Sequence, residues 1–133
     1  MAIAALVAWV LTALGGFYML AQWVAGGGPR RQSPTKIPPS LIFGHFFFAV
    51  VGLVLWIIYV VLDEMSVAWI AFIALIAVVL IGFMMLAGWI PVYRRTAGTP
   101  EHGFPVVVGG AHGVLAVATV VLTLLAALGV GAS

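Results

Sequence analysis

The chain has 133 residues, 65% of them hydrophobic and 6% charged, with a mean hydropathy of +1.32. That composition excludes a soluble globular core and predicts an integral membrane protein. Five basic and three acidic residues leave too little positive charge for nucleic-acid binding, and the absence of cysteine removes disulfides, thiolate chemistry and iron–sulfur ligation.

The first apolar run, from about Ala2 to Ala25, is close to the roughly 20 residues needed to cross a hydrocarbon core. Its length and the lack of a basic n-region predict a retained helix rather than a cleaved signal peptide. A lipid anchor is not expected, since the second residue is Ala2 and there is no cysteine to modify. Gly26-Gly27-Gly28-Pro29 stops this helix, and the polar loop that follows holds Arg30, Arg31 and Lys36. Pro38-Pro39-Ser40 suits the start of helix 2, because a first-turn proline lacks only an amide that would be unpaired anyway. Helix 2 runs to about Leu62, and the short Asp63-Glu64 turn predicts an antiparallel pair with helix 3. Helix 3 is expected from about Val67 to Ile90, ended by Pro91. The second long loop, Thr96 to Phe104, carries Glu101 and His102, and helix 4 runs from near Pro105 to about Gly129.

All five basic residues fall in the two longer loops or at their edge. The positive-inside rule then places those loops in the cytoplasm and both termini, with Asp63-Glu64, outside. The expected location is a membrane of the bacterial inner type.

The chain repeats itself. Gly16 to Trp23 reads GFYMLAQW and Gly82 to Trp89 reads GFMMLAGW, six identities in eight positions at an offset of 66. Farther along, His45, Ala49, Val50, Val54 and Leu55 lie over His112, Ala116, Val117, Val121 and Leu122 at an offset of 67. Arg30-Arg31 and Arg94-Arg95 follow the first pair of segments, while Pro39 and Pro105 open the second. The expectation is one membrane domain, an all-α four-helix bundle made by tandem duplication of a two-helix hairpin, with repeats at about residues 1–65 and 66–133. Both copies insert in the same direction, so the pseudo-two-fold axis lies along the membrane normal.

His45 and His112 are each six or seven residues into their helices, about 9–10 Å below the helix ends at 1.5 Å per residue. The His45 face continues through Ala49, Gly52, Trp56 and Tyr59, and the His112 face through Ala116, Thr119, Thr123 and Ala126. Both stripes begin with small residues, which admits a close helix or a flat ligand. An ionisable residue within a membrane span is a functional candidate. Two at matched positions point to a ligand shared across the axis. Haem b satisfies this pattern, taking two axial imidazoles and filling the space between helices 2 and 4. Arg30, Arg31, Arg94 and Arg95 are candidate propionate partners. Gln22 is a candidate to bond either histidine and fix its tautomer.

In outline the pair His45 and His112 resembles the cytochrome b type of bundle, which implies haem between the second and fourth helices and, with one histidine per helix, a single haem. The segments Gly16–Trp23 and Gly82–Trp89, together with His45 and His112-Gly113, resemble small bacterial four-helix membrane proteins with a duplicated histidine motif. That second resemblance implies a fold and no activity. The function expected is electron transfer with a redox partner or quinone. The alternative is a non-redox accessory or scaffold subunit of a larger membrane complex, in which the histidines only fix helix packing.

A zinc or copper site formed by His45, His112 and either Glu101 or His102 is a further candidate. The ordinary expectation for Glu101 and His102 is a solvated loop, with His102 otherwise capping a haem edge. Trp23, Trp89 and Trp69 read as aromatic-belt anchors. Met19, Met84 and Met85 read as packing residues, and Gly109 with Gly113 as a tight helix contact. No nucleotide-binding glycine motif, activated nucleophile or intramembrane carboxylate pair is present, which disfavours a stand-alone enzyme or ion pump.

Overall fold

The computed structural model describes residues 1–95 and 98–131, the Arg95 side chain excepted, and its described residues are helical apart from turns and loops. Helices α1 (Ala2–Ala25), α2 (Pro39–Leu62), α3 (Met65–Arg95) and α4 (Val106–Ala127) are each long and apolar enough to cross a membrane. Their outer faces carry exposed aliphatic side chains such as Ile3, Val61, Ile73 and Val107, a surface compatible with lipid.

Local chemistry sets the boundaries. Gly26 closes α1 by donating to Gln22 O, and Pro38 and Pro39 open α2. Asp63 ends α2 in the left-handed region at φ 55° and donates to Tyr59 O at 2.8 Å, which permits the tight reversal into α3. Pro91 does not end α3 as the sequence predicts, since the helix continues to Arg95. Proline forfeits one backbone hydrogen bond. The turn beyond it is held by side chains: Val92 is buried, and Tyr93 packs between Trp89 and His102 at ring separations of 5.5 and 5.8 Å. The second long loop contains a short 3-10 turn, Pro100–Gly103.

The helices associate as two close pairs. α1 packs chiefly on α4 and α2 on α3, whereas the contacts joining α1 to α2 and α3 to α4 are sparser. The diagonals are α1 with α3 and α2 with α4. The line of sparser contact, the slit, therefore runs between the α1/α4 pair and the α2/α3 pair.

The slit is filled at its two ends. At the end carrying the Asp63-Glu64 turn, Ala5, Trp9, Trp56, Tyr59, Ala68, Ala71, Leu75, Ala126 and Ala127 form one core. Trp9 and Trp56 meet there at 6.3 Å, and the Trp56 indole donates to Ala2 O at 3.1 Å. Trp23, Ile37, Val92, Thr99 and Glu101 are buried at the end carrying the two long loops. Between these plugs, no residue of 10–22, 39–51, 79–91 or 106–118 is buried. That band is about 20 Å tall at 1.5 Å per residue.

Candidate functional site

Both histidines lie in the band between the two cores. His112 on α4 sits against Gly15 and Gly16 of its partner α1, where a Cβ on Gly16 would approach His112 Cε1 to 3.1 Å. His45 on α2 sits against Gly82 of its partner α3, where a Cβ would approach His45 Cε1 to 3.2 Å. Glycine at 16 and 82 thus makes room for the rings. It explains why the matched GFYMLAQW and GFMMLAGW segments both begin with that residue.

Each ring is also fixed by a hydrogen bond to its partner helix. His112 Nδ1 donates to Thr12 O at 2.8 Å and His45 Nδ1 to Val78 O at 2.9 Å. A carbonyl oxygen can only accept, so the proton is on Nδ1, and in the neutral ring Nε2 keeps its lone pair. Neither Nε2 has a hydrogen-bond partner among the described residues. The two rings face each other across the diagonal of the bundle, with centres 6.2 Å apart and planes inclined at 62°.

The carbonyls of Thr12 and Val78 thus perform the tautomer-fixing role expected of Gln22. Gln22 is exposed and lies about 15 Å along α1 from Thr12. It lines a shallow depression with Gly26, Thr99, Pro100 and Gly103.

Glu101 departs most from expectation. It is fully buried instead of solvated. Its Oε1 accepts from the Trp23 indole at 3.2 Å, from the Thr35 hydroxyl and from Ile37 N at 3.4 Å, while the Trp89 indole donates to Glu101 O at 2.9 Å. Oε2 has no partner among the described residues. One residue therefore clasps α1, α3 and both long loops. The cause is topological, since the two loops share an end of the bundle and Trp23 and Trp89 present their indoles to it. Fully buried Trp23 is consequently no belt anchor, and Trp89 is half-buried against Gly109, whose Cβ would approach that ring to 3.4 Å. Gly113, expected to share a tight contact with Gly109, has nothing within 4 Å of a Cβ.

In this structure the loop does not bring its two candidate metal ligands to the histidines. The Glu101 carboxylate is engaged by Trp23 and Thr35, and exposed His102 is stacked on Tyr93. Among the described residues no group of three or more His, Asp or Glu side chains gathers. Of the predicted cations, Arg30, Arg31 and Arg94 are exposed at the loop end, and the Arg95 side chain lies outside the described residues.

Do the histidines fit a haem? His45 and His112, with ring centres 6.2 Å apart and each Nδ1 bonded to a backbone carbonyl, are the two imidazoles that would hold the iron through Nε2. Ala49 and Ala116 continue the two inward stripes by one turn, so small residues line the band next to both rings. The residues present fit the group. Compared with models of protein families, with characterised proteins and with solved structures, the chain matches none.

Proposed function

We propose that this is a membrane-embedded b-type haem protein acting in electron transfer, with one haem in the slit and His45 and His112 as its axial ligands. The observation that carries the reading is the histidine pair itself. The two imidazoles come from opposite helix pairs at a spacing suited to one iron, each with Nδ1 committed to a backbone carbonyl and Nε2 without a partner. Haem would supply a one-electron couple. The chain's own residues do the rest: the carbonyls of Thr12 and Val78 raise ligand basicity and hold ring orientation, and Gly16 and Gly82 keep each ring against its partner helix. Arg30, Arg31 and Arg94 are at the end where propionates would meet solvent, and Arg95 joins them by position in sequence.

The reading includes a tandem duplication with a pseudo-two-fold axis along the membrane normal. It is supported by side chains and carbonyls that correspond at the repeat spacing. Thr12 and Val78 bond the two histidines, Trp23 and Trp89 both bond Glu101, and Thr35 bonds Glu101, its own repeat counterpart. By the positive-inside rule the long loops are cytoplasmic and the termini outside, in a bacterial inner membrane, with a quinone or a protein as redox partner.

A scaffold role in a larger membrane complex is the second reading, favoured by the Nδ1 bonds alone, which are what packing histidines would make. The visible spectrum of the detergent-purified protein, oxidised and then reduced, separates the two. Sharp α and β bands on reduction, lost in His45→Ala and His112→Ala, support haem. A colourless protein from haem-replete cells, or a spectrum untouched in both variants, overturns it.

A further inference from the structure

The long-loop end buries an acidic group that no basic side chain described there balances. Glu101 is fully buried, and its Oε1 accepts from neutral donors only, the Trp23 indole, the Thr35 hydroxyl and Ile37 N. The basic side chains described at this end, those of Arg30, Arg31, Lys36 and Arg94, are all exposed. An ionised carboxylate taken out of water is costly unless a cation accompanies it. Oε2 has lone pairs to offer and no partner among the described residues.

A second oxygen of the same turn is equally uncommitted. Thr99 precedes the Pro100–Gly103 turn at its N-cap and is 8% exposed, yet its hydroxyl makes no capping bond. An N-cap threonine ordinarily gives that oxygen to an amide of the turn that follows. Among the described residues, Thr99 Oγ1 and Glu101 Oε2 are the two fully buried side-chain polar atoms without a hydrogen bond. Thr99, Pro100 and Gly103 also form one wall of the depression whose other wall is Gln22, Ala25 and Gly26, so the turn is approached from water.

We propose that Glu101 Oε2 and Thr99 Oγ1 are ligands of a monovalent metal cation, sodium, with water completing its shell. Carboxylate and neutral oxygen donors suit a hard ion. Charge selects the valence. The other acids of the chain, Asp63 and Glu64, are at the opposite end of the bundle, so a single carboxylate balances a single positive charge and a divalent ion would bury an excess. His102, the softer donor of this turn, is exposed and stacked on Tyr93. Glu101 already joins α1, α3 and both long loops, and the ion makes that junction dependent on sodium. The site is separate from the histidine pair and does not rest on the haem reading.

The test is the thermal unfolding midpoint in detergent, followed by circular dichroism, as sodium chloride replaces choline chloride at constant total salt. The wild-type midpoint should rise by about 3 °C or more, and the protein should broaden the sodium NMR line. Glu101→Gln keeps an acceptor for Trp23, Thr35 and Ile37 but removes the charge, and should abolish both effects. Thr99→Val should weaken both. If Glu101→Gln fails to fold, Thr99→Val decides. Equal wild-type midpoints in sodium and choline overturn the site and leave Oε2 to a water or a proton. A sodium effect that survives intact in the folded variants overturns it as well, and a response to calcium without one to sodium overturns the monovalent assignment.

Discussion

The ends of the slit and its middle are built on opposite rules. At the ends, large side chains are buried and their indole N–H groups are bonded, Trp56 to Ala2 O and Trp23 to Glu101. In the middle, glycine and alanine surround two rings whose Nε2 atoms have no partner among the described residues. Residues that hold this protein together are thus separated along the helices from residues able to hold a ligand, and substitutions in the two regions should be separable too.

The largest stability effect is expected from the filled end at the Asp63-Glu64 turn. Trp56→Ala removes a fully buried ring and should cost about 3–5 kcal/mol, seen as a lower midpoint for unfolding in detergent followed by circular dichroism. Overpacking should cost less. A Cβ on Gly28 would overlap the Trp23 indole and one on Gly52 would come within 2.8 Å of Trp9, so Gly28→Ala and Gly52→Ala should each lose about 1–3 kcal/mol. Glu101→Ala strands the Ile37 donor and leaves the Trp23 indole with Thr35 as its remaining acceptor, and a buried donor left unpaired costs about 1–3 kcal/mol. Limited proteolysis of the two long loops should rise in that variant, and resistance equal to wild type would refute the clasp. The smallest effect belongs to the middle: His45→Ala removes one hydrogen bond between helices, worth about 0.6 kcal/mol, while abolishing the cofactor spectrum. A loss in the Trp56→Ala range would mean that the histidines are structural, contrary to the proposed function.

Much of this division was legible in the sequence. The four spans followed from hydropathy, and spacing by three and four identified Gly52, Trp56 and Tyr59 on α2 and Thr119, Thr123 and Ala126 on α4 as inward residues, all of which are buried. The approach of His45 to His112 followed from their matched depth. Glu101 was missed because a charged residue between turn-formers ordinarily means solvent, and its burial depends on Trp23 and Thr35, distant in sequence. A signal was available, since Thr35 is the repeat counterpart of Glu101. Pro91 was misread because its local cost to a helix is real, and only packing around Val92 and Tyr93 offsets it.

The pairing of α1 with α4 has a consequence for biosynthesis. The helix on which α1 relies most is the last of the four to leave the ribosome, so α1 waits through the synthesis of three spans before its principal neighbour arrives. Until then only α2 and α3 can form a close pair, joined by their short turn. The bundle is therefore completed late, when α4 brings Gly113 and His112 to the pair already formed, and the slit comes into being as the final event of assembly.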